Sequence, residues 1–208
     1  MTRLSKFQRV ALLAASTTVI TGGLMLPGTA FAAPQTATVA TDAHGADSAA
    51  QWAATTDHTS GVTAELPGQP EKETISENGV EGRTYTVPTE YGAMAFGVFD
   101  APDGSAWDLA ANLQSALDGY NSDSKSPDDV LTSSDVQEGT TADGQPALDA
   151  ALSAPDGTIG HVRFIDAGDH MVEIVVLGTQ DAQQDVDADY MQLLNGLQLP
   201  GGTTTQSY

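Results

Sequence analysis

The segment "MVEIVVLG" at 171–178 restricts the fold more than any other stretch of the chain. Side chains of a strand alternate between its two faces, so a strand with one exposed face alternates apolar and polar residues. Residues 174–177 are all apolar, which means that a strand here must be covered on both faces. We therefore expect a sheet with this strand at its centre and a packed layer on each side.

Other strand patterns indicate that the sheet is mostly antiparallel. Alternating apolar residues occur in three early segments, "GVTAELPGQP", "GRTYTVP" and "GAMAFGVFD". Later strands are predicted at about 133–140, 146–153, 158–166 and 169–178.

The tetrapeptide "APDG" at 154–157 predicts a hairpin with a defined register. If "PDG" forms a three-residue loop, Ala154 pairs with Thr158. Asp149 then lies opposite Arg163, where an exposed ion pair contributes under about 1 kcal/mol. The same register places alternate apolar residues of both strands on one inner face, so it is self-consistent.

Two amphipathic helices complete the pattern. The first carries apolar residues at helical spacing, namely Leu109, Leu113, Leu117 and Tyr120, and Ser105 is expected to cap it with Asp108 three residues later. The second covers about 181–197 and carries Val186, Tyr190, Leu193, Leu194 and Leu197. The predicted fold class is α+β, a mostly antiparallel sheet flanked by two helices in an α/β/α sandwich.

The order of these elements resembles a known family. A polar linker, the entry "VTAELPGQPE", two or three strands, a helix, four strands and a terminal helix are similar to the PsbP-like sandwich over roughly 60–200. Many exported bacterial proteins have this form. The resemblance implies an accessory or binding module more often than an enzyme, and it carries over no functional residue.

The N-terminus has the pattern of a secretory signal peptide. Three basic residues precede an apolar run, and the small-residue segment "TAFAAP" follows at 29–34. Ala30 and Ala32 fit the −3 and −1 pockets of a signal peptidase, so cleavage is expected between Ala32 and Ala33. The protein is therefore predicted to be secreted and extracellular, with no stable membrane anchor after cleavage.

The predicted signal peptide, 1–32, is the first of four segments. A flexible Ala/Thr-rich linker is expected at 33–59, a single globular domain at 60–200 and a disordered tail at 201–208. The sequence contains no cysteine, so neither a disulfide nor a lipid-modified cysteine can form. The stability of the domain must therefore come from its packed core.

The charge balance narrows the class of partner. The chain holds 28 acidic and 7 basic residues, a formal net charge of −21, and three of the basic residues lie in the predicted signal peptide. Nucleic acids and anionic lipids are bound through Lys and Arg, so both are disfavoured as partners. An unknown extracellular protein or small ligand is expected instead, and no cofactor is predicted.

The segment "QDVDADYMQLL" places aspartates at three alternate positions, Asp185, Asp187 and Asp189. A calcium loop of the EF-hand type needs glycine at its sixth position and glutamate at its twelfth. Counted from Asp185, those positions hold Tyr190 and Gly196. The preferred interpretation is a helix start that Asp181 or Asp187 caps, with the acids facing water, and no metal ligand is assigned.

Catalytic patterns are weak. The chain lacks a G-x-S-x-G elbow and has no cysteine nucleophile. His161 and His170 lie on adjacent predicted strands and could approach Asp149 or Asp169, so a small secreted hydrolase that uses a strand histidine stays an alternative. No catalytic, cofactor-binding or metal residue is assigned.

A secreted non-enzymatic binding or accessory module is therefore the leading prediction, with the hydrolase or a calcium-binding protein as the alternatives. A groove between the sheet and the first helix, near Trp107 and Tyr120, is one candidate site. The simpler interpretation of these two rings is that they complete the core.

Overall fold

The computed structural model describes residues 51–77, 79–101, 106–122 and 124–200. The predicted signal peptide, the linker up to residue 50 and the predicted tail lie outside the described residues. No helix of the described part is long and apolar enough to cross a membrane.

Seven of the nine strands found in the described residues form one antiparallel sheet in the order β3-β4-β5-β9-β8-β7-β6, and β1 and β2 form a separate two-stranded sheet. The strands are β1 Trp52–Thr56, β2 Thr63–Pro67, β3 Glu71–Glu77, β4 Val80–Pro88, β5 Ala93–Asp100, β6 Thr132–Thr140, β7 Pro146–Ser153, β8 Thr158–Asp166 and β9 His170–Thr179. The helices are α1 Leu109–Ser122 and α2 Gln183–Asn195, and short 3-10 turns form at Pro127–Asp129 and Gln180–Ala182.

The central position of β9 confirms the prediction from its apolar run. It pairs with β5 on one side and β8 on the other, and its residues 171–178 are buried. The helix α1 packs on one face of the sheet over β7 and β8. On the other face, α2 packs beside the β1–β2 pair, where Ala64 and Leu66 of β2 and the preceding Val62 are fully buried. The α+β sandwich prediction is thus confirmed.

The hairpin between β7 and β8 has the predicted register. The Ala154 N–H donates to the Thr158 carbonyl at 2.9 Å, and Asp149 lies opposite Arg163. Gly157 closes the turn at φ +88°, a conformation that glycine adopts without the steric cost of a side chain. Local turn chemistry therefore sets how these two strands meet.

The prediction of a flexible linker at 33–59 is wrong for residues 52–56. Residues 52–56 form β1, which pairs with β2 from Trp52 opposite Pro67 to Thr56 opposite Thr63. The segment has no periodicity because most of its side chains are exposed or half-buried. Its order comes from pairing with β2 rather than from its own sequence. The strand β3 was missed for the same reason, since its segment "EKETISE" is almost entirely polar.

The helix starts also differ from the prediction. At α1, the Asp108 carboxylate accepts from the Ala111 N–H at 2.9 Å, so Asp108 is itself the cap; Ser105 lies outside the described residues. At α2, Ala182 occupies the cap position and no side chain caps it. Asp181 belongs to the preceding 3-10 turn, and Asp187 lies within the helix, so neither caps it. The second helix itself is confirmed.

Candidate ligand-binding cleft

A cleft of about 710 Å³ lies between α2 and the β6 edge of the sheet. Its floor is the α2-facing side of β7 and β8, with Asp149, Ala151, His161 and Arg163. One wall is formed by Tyr190, Met191 and Leu194 of α2 together with Leu199, and the other by Asp135 and Gln137 of β6 with residues 141–143. The volume lies within the range of about 300–1,000 Å³ typical of ligand pockets.

Strand alternation explains why these side chains face the cleft. Leu148 and Ala150 of β7 are buried in the core beneath α1, so Asp149 between them points to the opposite face. Arg163 lies opposite Asp149 in the β7–β8 register. A charged pair on the floor is thus a consequence of the same pattern that builds the core.

Arg163, Asp149 and Tyr190 form one hydrogen-bonded unit. Nε and Nη2 of Arg163 donate to the two oxygens of Asp149, each at 2.8 Å. The Tyr190 hydroxyl donates to the same carboxylate at 2.9 Å. The predicted pair is therefore neither isolated nor fully exposed, because the two side chains are only 25% and 32% accessible.

The pKa values of this unit follow from its geometry. Burial acts to lower the pKa of Arg163, but the hydrogen bond and charge of Asp149 outweigh it and raise that pKa above its usual value. The pKa of Tyr190 is also raised, first by burial and then by the charge of Asp149. Arg163 therefore stays protonated and Tyr190 stays neutral at physiological pH.

His161 joins the floor of the cleft to α2. Its Nε2 lies 2.7 Å from Asp187, and its ring stacks on Tyr190 with centroids 4.8 Å apart. The predicted carboxylate partners, Asp149 or Asp169, are wrong for this residue. The ring of His161 is thus fixed between a carboxylate and an aromatic face.

His170 also has a different partner from the predicted ones, since its Nδ1 lies 2.9 Å from Asp100. Asp100 in turn accepts two hydrogen bonds from Arg83. The hydrolase alternative requires a histidine bonded to both a hydroxyl and a carboxylate. Within the described part of the chain, His161 and His170 each have the carboxylate, but neither ring is hydrogen-bonded to a hydroxyl.

One exposed apolar side chain, that of Met191, borders the cleft. Among the described residues, the large hydrophobic side chains that are exposed are Val136 at 50% and Met191 at 55%. Met191 lines the α2 wall. Val136 is not a lining residue; it lies in a bulged part of β6 between Asp135 and Gln137, which do line the cleft. Bulges often occur where a strand must redirect a side chain near a binding site.

The sequence matches no protein-family model and no curated protein sequence. Among solved structures, the solution structure of cyanobacterial PsbP (CyanoP) from Synechocystis sp. PCC 6803 is similar, with a TM-score of 0.55 and 11% identity. The similarity covers 76% of this chain and 98% of that one. The chain has a PsbP-like fold. The resemblance seen in the element order is thus confirmed, and at this identity it concerns the PsbP-like fold alone.

The three alternate aspartates of the PsbP-like domain do not meet at one point. Asp185 is exposed, Asp187 is bound to His161, and Asp189 accepts a hydrogen bond from the Tyr91 hydroxyl. No group of three acidic or histidine residues is arranged to hold a metal ion within the described ranges. The stretch is a helix start, as predicted, but the expectation that all its acids face water is wrong for Asp187 and Asp189, which are half-buried.

Trp107 and Tyr120 belong to the core beneath α1 in the PsbP-like domain. Tyr120 is buried, and Trp107 packs against the same cluster. Their positions agree with the simpler of the two interpretations, that the rings complete the core.

The contribution of α2 to the cleft was missed. The sequence pattern assigned Tyr190 to the core, where most of its ring lies, but did not reveal that its hydroxyl reaches Asp149. Met191 follows Tyr190 and lies outside the apolar stripe of α2. An apolar residue at such a position is the one sequence signal that could have indicated the contribution of α2 to the cleft.

Proposed function

We propose that this protein is a secreted, non-enzymatic binding module that holds its ligand in the cleft between α2 and β6. The observation that carries the proposal is the cleft itself, a concave site of about 710 Å³ whose α2 wall includes Met191, a large apolar side chain that is 55% exposed. Ligand sites are typically concave and largely apolar, with a few polar groups that fix the orientation of the ligand.

The floor of the cleft supports the same function. Asp149 already has three hydrogen bonds from Arg163 and Tyr190, and His161 is fixed by Asp187 and by stacking on Tyr190. Groups held in this way lose little conformational entropy when a ligand binds, which favours affinity. The arrangement orients a ligand and does not present an activated nucleophile.

Two features of the sequence support secretion. The N-terminal segment has the basic, apolar and small-residue regions of a signal peptide. The absence of cysteine leaves an exported protein independent of the redox state outside the cell. The PsbP-like resemblance, which often accompanies exported accessory proteins, agrees with this location.

Replacing Ala151 by tryptophan is expected to block binding without unfolding the domain. Ala151 lies on the floor of the cleft and is half-buried, so an indole there fills the cleft rather than the core. Thermal melts with sugars, amino acids, peptides and cations should show a shift for the natural ligand class in the unmodified protein. At a hundredfold excess over Kd the gain is about 2.7 kcal/mol, and it should vanish in Ala151→Trp.

Ala111→Trp is the matched control, because Ala111 is exposed on α1 at the opposite face of the sheet. Its ligand-induced shift should equal that of the unmodified protein. A shift that survives in Ala151→Trp would place the binding site elsewhere and contradict the proposal.

A further inference from the structure

Building on the proposed binding function, we infer that the cleft takes an extended, positively charged peptide segment whose basic residues alternate with apolar ones. Three properties of the cleft lead to this ligand class: the sign of its charge, the nature of its walls and the distance between its free carboxylates.

The charge of the cleft is negative because its cation is already neutralised. Arg163 is paired with Asp149 through two hydrogen bonds. Asp135 and Asp143 also line the cleft, and neither forms an ion pair with any described residue. An anionic ligand would have to compete with Asp149 for Arg163, whereas a cation meets two carboxylates that are free to bind it.

The field of the whole molecule has the same sign. The formal net charge of the chain is −21, so cationic partners are attracted over distances up to the screening length and anionic partners are repelled. Complementary charge of this kind accelerates encounter and disfavours the wrong partners. It does not by itself select a site on the surface.

The apolar walls distinguish the cleft from the rest of the acidic surface. Leu194 and Leu199 line the cleft beside the exposed Met191, and the flexible, polarizable methionine side chain adapts to ligand side chains of different shape. A simple metal cation would leave these apolar groups in water. The ligand therefore carries apolar side chains as well as positive charge.

The spacing of the carboxylates indicates an extended ligand. Asp135 lies within β6, whereas Asp143 lies in the turn after the strand ends at Thr140. The intervening strand spans roughly 15 Å at about 3.3 Å per residue. A single amine cannot reach both carboxylates, but a strand-like peptide of five or more residues can place a basic group at each and an apolar group between them.

Three end-capped heptapeptides test this inference by isothermal titration calorimetry with the full protein. One alternates lysine and leucine, the second glutamate and leucine, and the third lysine and serine. The lysine–leucine peptide is expected to bind at least about tenfold more tightly than either of the others, a difference of about 1.4 kcal/mol. Raising the salt concentration should weaken it, because part of the attraction is electrostatic.

Matched charge variants locate the interaction. The double substitution Asp135→Asn and Asp143→Asn should weaken lysine–leucine binding about tenfold, and asparagine tolerates the positive φ of 51° at position 135. The control replaces Glu71 and Glu73 by glutamine. Both are exposed on β3, the opposite edge strand, and their removal changes the net charge by the same amount. This control should bind as the unmodified protein does.

Ala151→Trp distinguishes a wrong ligand class from a wrong binding site. If the glutamate–leucine peptide binds as tightly as the lysine–leucine one and both are lost in Ala151→Trp, the ligand class is wrong but the cleft is a binding site. If lysine–leucine binding survives Ala151→Trp, or falls equally in both double variants, it is diffuse surface attraction and the inference fails. If no peptide binds, the peptide class is overturned, and the melts with other ligands decide the proposed function separately.

Discussion

Replacing Arg83 by methionine is expected to lower the free energy of unfolding by about 3–5 kcal/mol, because it leaves a buried carboxylate without its counter-ion. Nε of Arg83 donates to Asp57 at 3.0 Å, and its Nη1 and Nη2 donate to Asp100 at 2.6 and 2.7 Å. The Asp57 side chain is 0% exposed. Methionine preserves much of the packing volume of the arginine stem but donates no hydrogen bond.

Asp57 stays ionised because several donors surround it. Burial alone would raise its pKa, but hydrogen bonds from Ser60, Tyr85 and Arg83 lower that pKa to about 2. Asp57 follows β1 directly, whereas Arg83 and Tyr85 lie on β4 of the main sheet. The Asp57 carboxylate therefore links the β1–β2 pair to the seven-stranded sheet. Without Arg83 its buried negative charge is no longer neutralised, which should destabilise both sheets.

The measurement is equilibrium unfolding in urea at pH 7, with Arg163→Met as the control. Arg163 also makes a two-bond contact with an aspartate, but that pair is partly exposed, so its loss is expected to be no more than about 1–2 kcal/mol. If Arg83→Met and Arg163→Met lower the free energy of unfolding equally, the burial of Asp57 does not account for the destabilisation.

Replacing Glu173 by glutamine is expected to stabilise the protein increasingly as the pH rises from 5 to 8. Glu173 is 2% exposed at the centre of β9, on the face towards α1, with Gly97 and Phe164 as its cross-strand neighbours. Its Oε1 has no hydrogen-bond partner among the described residues. Burial raises the pKa of Glu173 from 4.5 to about 8, and no neighbouring charge contributes to that shift.

The sign follows from proton linkage. Between pH 4.5 and 8 the folded state holds a proton on Glu173 that the unfolded state has released, so unfolding becomes more favourable as the pH rises. The slope for one group is about 1.4 kcal/mol per pH unit. From pH 5 to 8 the unmodified protein should therefore lose on the order of 3–4 kcal/mol relative to Glu173→Gln. Above pH 8 the difference becomes constant.

Urea unfolding of both proteins at pH 5, 6, 7, 8 and 9 tests this expectation. The two proteins differ only at position 173, so the difference between the two stability curves isolates Glu173. Glu81→Gln, at an exposed position of β4, controls for the change in net charge. Parallel curves for the unmodified protein and Glu173→Gln would mean that the buried carboxyl does not titrate in this range.

The parts of the fold that followed from the sequence are those governed by neighbouring residues. The turn at Gly157 and the alternation on either side of it lie within a few residues, so they predicted the register that places Asp149 opposite Arg163. The helix α2 was predicted because apolar residues within this one segment recur at the spacing of helical turns. The strand β1 was not, because its polar side chains carry no pattern and its order comes from pairing with β2.

The cleft could not be predicted from the sequence pattern, because it depends on contacts between residues far apart in the sequence. Tyr190 reaches Asp149 across 41 positions and His161 reaches Asp187 across 26. Periodicity reports which face of an element is buried, but it does not report which distant residue lies opposite that face. The predicted partner of His161 was wrong because α2 packs against the sheet and presents Asp187. The predicted partner of His170 was wrong because the pairing of β5 with β9 places Asp100 opposite it.

The sequence by itself determined that one strand is covered on both faces, that two helices flank an antiparallel sheet and that the surface is strongly acidic. Each of these is a matter of composition or of spacing within one element. Only the tertiary structure decided that Arg83 is tied to Asp57 and Asp100 and that α2 forms a cleft with β6. It also decided that the buried Oε1 of Glu173 has no hydrogen-bond partner among the described residues. These features depend on how separate elements pack, and packing is a property of the whole core rather than of any one segment.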